Sequence, residues 1–138
     1  INKQSAGILY FIESKIRKRH LQSTQLLGLS KYSLEHLMPK KWENNWDKLT
    51  KPEDKINRNR KLLTLGNLTI ITQALNSSIR DSDWATKRYG KNDKLGLNTY
   101  SAGLETISSY LTLNVWNEQT IEQRADFLYQ KAKNIWKI

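Results

Sequence analysis

The sequence has no cysteine, and of its 138 residues only two are histidine, two proline and one methionine. Without cysteine there can be no disulfide framework and no thiolate zinc site, a composition that fits a reducing, cytoplasmic location. With His20 and His36 as the only imidazoles, a metal site built from histidines alone is excluded. A catalytic metal would have to be held mainly by oxygen, which favours magnesium, with manganese as the alternative, over zinc. Long apolar runs are missing too. The stretch Ile8 to Ile12 is too short to span a bilayer, and Lys15, Arg17, Lys18 and Arg19 follow it, the reverse of the order in a signal peptide. No membrane association is expected.

Acidic residues are scarce. Thirteen Asp and Glu stand against 23 Lys and Arg, a formal net charge of +10. Such an excess on a small chain is an electrostatic footprint for nucleic acid, or the mark of a piece separated from an acidic partner. The length predicts one domain over residues 1–138, able to bury a core without staples. The opening Ile1 is read as the start of a C-terminal piece of a longer protein.

Residues 7–20 have helical periodicity, with Ile8, Ile12 and Ile16 one turn apart and Leu9 and Phe11 widening the stripe. A connection over 21–31, turning at Gly28, leads to YSLEHLMP, residues 32–39, a short strand ending near His36 and closed by Pro39. Residues 40–61 form a long polar excursion, with room for one helical turn between Trp42 and Leu49. LLTLGNLTIIT, residues 62–72, is the most strand-like segment, interrupted at Gly66-Asn67. Residues 73–90 are helical or turn-like, with Gly90 as C-cap, and 91–99 are loop. Leu104, Ile107 and Leu111 mark a short helix. Thr120 with Gln123 has the capping-box pattern before a helix whose apolar face is Ile121, Ala125, Leu128, Ala132 and Ile135. The expected class is α+β, mostly helical.

Three pieces carry chemistry only in combination: Glu35-His36 ahead of Pro39, then Leu65-Gly66-Asn67-Leu68, then Asn76. Singly, a histidine at a strand end is more often structural, Gly-Asn is a turn, and an Asn opening a helix is a cap. In this order they resemble the HNH, or ββα-metal, nucleases, in which a two-stranded ribbon and a helix pinch one metal ion. The strings EHLMPKKW, LGNLTIITQALNSSI, WATKR and IEQRADFL look more closely like the C-terminal nuclease domain of GmrSD-type modification-dependent restriction proteins.

That resemblance implies a ββα core packed with an N-terminal helix and C-terminal helices. It implies phosphodiester hydrolysis of DNA, including modified phage DNA, as part of phage restriction. It also implies a divalent ion as cofactor, and an N-terminal nucleotide-hydrolysing domain as partner in the same protein. His36 would be the general base, since a neutral imidazole near pH 7 can take a proton from water. Asn67 would hold the His36 ring, and Glu35 and Asn76 would offer oxygen ligands to the metal. Glu35 and His36, as strand neighbours, point to opposite sides unless the strand end is twisted or bulged. Arg58, Arg60, Lys61, Arg80, Lys87 and Arg88 are the candidate DNA contacts, against an ordinary reading as helix-surface charge. A non-catalytic DNA-binding module is the rival that the charge alone would serve, and a docking domain with Trp42 and Trp46 exposed is the third.

Overall fold

The structure is a computed structural model that describes residues 2–17 and 26–136. His20, Lys18 and Arg19 lie outside the described residues, and so does the side chain of Trp136. The architecture is α+β: one two-stranded sheet and, among the described residues, six helices. In order these are α1 (Asn2–Arg17), β1 (Ser33–His36), α2 (Pro52–Lys61), β2 (Leu68–Ile71), α3 (Ser77–Arg80), α4 (Trp84–Tyr89), α5 (Leu97–Tyr100) and α6 (Glu118–Trp136).

The two strands pair antiparallel, with His36 opposite Leu68 and Glu35 opposite Thr69, so the polar excursion does not prevent the ribbon from closing. All four β2 residues are buried: Leu68, Ile70 and Ile71 as apolar side chains must be, and Thr69 with its hydroxyl donating to the Ile70 carbonyl. The segment before them is not strand. Residues 65–67 form a 3-10 turn, and Leu62 caps α2. The turn is fixed by close packing rather than by propensity: a Cβ built on Gly66 would run into the Ile121 carbonyl and lie 2.9 Å from the Ala125 Cβ of α6. Arg124, fully buried on the same helix, donates from Nη1 to the carbonyls of Leu65, Gly66 and Leu68 and from Nε to that of Thr106. The LGNL and EQRADF strings are thus two halves of one interlock.

The excursion holds the expected turn, a 3-10 turn at Trp42–Asn44, and beyond it a full helix that was not expected. Only Ile56 is apolar between Pro52 and Lys61, so no stripe signals α2. Its signals are Pro52 in the first turn, Glu53 and Asp54 beside it, and Arg58, Arg60 and Lys61 at the C-terminal end, all favourable to the helix dipole. Its buried residue is Arg58, which lies 4.5 Å over the Trp42 ring and pairs with Asp47 and Glu118. Trp42 and Trp46 are therefore buried, not exposed. Their indole N–H groups donate to Asn59 Oδ1 and to the Ser82 carbonyl.

Other departures are local. On α1 the buried face is Leu9, Ile12 and Glu13, while Ile8 is exposed. Glu13 accepts from the backbone N–H of Glu105 and Thr106, which turns a charged residue inward. Leu104, Ile107 and Leu111 are buried from a series of turns that ends in a 3-10 turn at Tyr110–Thr112 rather than from one α-helix. The cap of α6 sits three residues earlier than Thr120, since Asn117 Oδ1 accepts from the Thr120 N–H and Thr120 Oγ1 from the Asn117 N–H. No helix among the described residues is long and apolar enough to cross a membrane.

Candidate active site

His36 is the last residue of β1, and the chain bends immediately after it at Leu37-Met38. Its half-buried ring lies on a cleft of about 240 Å³ lined by Glu35, His36, Pro39, Lys40, Lys41, Arg80 and Asp81. Glu35 and His36 thus meet at one cleft although they are neighbours on a strand. Burial lowers the His36 pKa from its ordinary value, and the charges of Lys40 and then Lys87 push it the same way. Each of these effects favours the neutral imidazole, whose free nitrogen can accept a proton.

Asn67 is fully buried beneath the bend. Its Oδ1 accepts from the Met38 N–H at 2.8 Å and from Trp116 Nε1 at 3.0 Å, and its Nδ2 donates to the carbonyls of Met38 and Leu62. Its own carbonyl accepts from the Leu37 N–H. Asn67 therefore braces the two backbone residues that follow His36. Its side-chain hydrogen bonds go to Met38, Leu62 and Trp116 rather than to the ring.

Asn76 is exposed and caps α3, with Oδ1 accepting from the N–H and the hydroxyl of Ser78. It is not among the residues lining the cleft, but the Arg80 N–H bonds to its carbonyl and Arg80 does line it, which puts Asn76 one helical turn away.

The expected DNA contacts divide by burial. Arg80 and Arg60 are exposed, and Lys61 pairs with Glu122 at the surface. Arg58, Lys87 and Arg88 are buried, which corrects the expectation that they meet phosphate. Arg58 is held by Asp47 and Glu118, Arg88 donates to the Leu111 carbonyl, and Lys87 pairs with Glu35 at 2.8 Å. A phosphate-contact role needs solvent access that none of the three has.

Sequence reasoning missed Lys40, Lys41 and Asp81 on the cleft. The lysines were within reach, because they follow HLMP directly. Asp81 carried no signal beyond its place after Arg80. Among the described residues no group of three or more His, Asp or Glu side chains converges as a ready metal cage. The oxygen donors at the cleft are the Glu35 and Asp81 carboxylates. That set is too small to enclose a cation, and would suit only a divalent ion that keeps waters and takes its remaining ligands from a phosphate.

The paired ribbon and the short helices after it are consistent with a ββα core, with Glu35 and His36 at the strand end and Asp81, after α3, on the same cleft. The chain belongs to the family described as GmrSD restriction endonucleases, C-terminal domain, whose model matches residues 2–131. Comparison with curated proteins and with solved structures returns no match.

Proposed function

We propose that this domain is an HNH-type, metal-dependent DNA endonuclease in which His36 is the general base. The observation that carries it is the neutral, half-buried imidazole at the end of β1, on a cleft walled by Lys40, Lys41 and Arg80 and sharing the Glu35 carboxylate. Phosphodiester hydrolysis needs a proton removed from the attacking water, and His36 is the side chain on the cleft suited to take it. Lys40, Lys41 and Arg80 would draw the phosphate in and offset its charge. Asn67 keeps the chain after His36 from relaxing, which fixes the ring's base.

A divalent ion, with magnesium ahead of manganese, would be held by Glu35, with Asn76 or Asp81 as second oxygen donor. Bound there, it would supply charge stabilisation at the phosphate and the leaving oxygen. Modified phage DNA as substrate, a nucleotide-hydrolysing domain on the same protein as partner, and action in the cytoplasm complete the proposal.

The rival is a basic module that binds DNA without cutting it. Supercoiled plasmid incubated with the protein, with and without magnesium, separates the two. Nicked or linear product that appears only with the metal supports the nuclease. Retention of DNA on the protein with no cleavage in magnesium or manganese would leave the binding module.

A further inference from the structure

Lys87 is the side chain whose position the function above does not use. It is fully buried, although an ammonium removed from water is costly unless paired and hydrogen-bonded. Its Nζ meets two acceptors, Glu35 Oε2 at 2.8 Å and the backbone carbonyl of His36. These belong to consecutive residues of β1, one a side-chain oxygen and the other a backbone oxygen, so a single ammonium holds both a carboxylate and the strand itself.

The base of the lysine is held as firmly as its tip. Asp83 caps α4 by accepting from the Thr86 N–H, and Trp84 donates to the Leu113 carbonyl while stacking at 5.2 Å on Trp116. At the other end Gly90, at φ 86°, stops the helix, and Gly96 packs so closely that a Cβ there would lie 2.6 Å from the carbonyls of Lys87 and Arg88. Glu35 Oε1, by contrast, takes no hydrogen bond among the described residues, and Glu35 lines the cleft.

We propose that Lys87 is a positioning residue, an internal tether that fixes the Glu35 carboxylate and the His36 backbone together at the end of β1. Through Oε2 it leaves Oε1 for the cleft, and through the carbonyl it sets the origin of the His36 side chain. This inference rests on the nuclease reading for its kinetic consequence, but the tether can be judged without it.

The test is Lys87→Met, which keeps length and removes the charge. Steady-state nicking, DNA affinity by fluorescence anisotropy, and the His36 ring signals by NMR are measured below the melting temperature. With two histidines in the sequence, comparison with His36→Ala assigns the ring. The expected result is a fall in kcat of about a hundredfold, the scale of a small misplacement of a catalytic group. KM and DNA affinity should stay within about twofold, and the His36 signals should shift or broaden. If the single variant does not fold, Glu35→Gln with Lys87→Met removes both buried charges and the same His36 signals are read. Unchanged His36 signals in a folded variant overturn the tether, as does a lowered melting temperature with kcat per folded molecule intact. A loss of DNA affinity with unchanged kcat would likewise overturn the tether, since the substitution would then have altered the binding surface and not the position of Glu35 and His36. If the wild type does not cut DNA the nuclease reading fails, and the His36 signals alone then decide the tether.

Discussion

At the scale of single residues, the proposed site depends on keeping His36 neutral and its backbone fixed. Its pKa lies below the ordinary imidazole value because of burial first and the Lys40 and Lys87 charges next. A base must be deprotonated to act, so kcat/KM should rise with pH along an acid limb below about 6.5 and be level at pH 7. Lys40→Ala removes one of the charges that disfavour imidazolium, so the limb should move to higher pH. A limb that stays put, measured at constant ionic strength, would mean that another group titrates. The two asparagines should separate by stability. Asn67→Ala strands buried donors and acceptors at Met38, Leu62 and Trp116 and should cost on the order of 2–4 kcal/mol. Asn76→Ala removes an exposed cap and should cost about 1 kcal/mol. Thermal melts of the two variants check this. An Asn76→Ala defect that excess magnesium relieves, without a change in the metal-free melt, would make that amide a ligand.

At the scale of elements, β1, the buried run of β2, the stop at Gly90 and the face of α6 were legible because periodicity and turn chemistry mark them. α2 was not, since its inward side chain is Arg58, and a helix that buries a cation over Trp42 has no apolar stripe to read. The six residues before Leu68 looked like strand from Leu and Thr content, but contact with α6 overrides that propensity. The candidate site was legible in part. Glu35 and His36 announce themselves by adjacency and by Pro39, whereas the burial of Lys87, Arg58 and Arg88 comes from long-range pairing that one-dimensional order cannot show. The same contact makes a prediction. Gly66→Ala forces a methyl into the backbone of α6 and should destabilise by about 1–3 kcal/mol or more, lowering the midpoint of denaturant unfolding. A midpoint within error of the wild type would show that α6 does not lie so close.

At the scale of the whole molecule, the +10 charge is not all available to a polyanion. Among the described residues four cations, Arg58, Lys87, Arg88 and Arg124, are buried along with two acids, Glu13 and Glu35. The exposed contribution that concerns the cleft comes from Lys40, Lys41 and Arg80, with Arg60 on α2. Each phosphate contact removed should flatten the log–log dependence of DNA affinity on salt by about 0.9 on duplex DNA. Alanine at Lys41 or Arg80 should do so, and alanine at Arg88 should not. Equal slopes for all three would put the DNA elsewhere on the surface. The most direct measurement is the rate of plasmid cleavage in magnesium by His36→Ala against the wild type, with folding and DNA affinity checked on the same samples. Loss of a general base predicts a fall of about 10²–10⁴-fold with affinity and melting temperature nearly unchanged. Cleavage at the wild-type rate by the folded variant would contradict the assignment of His36 as the base.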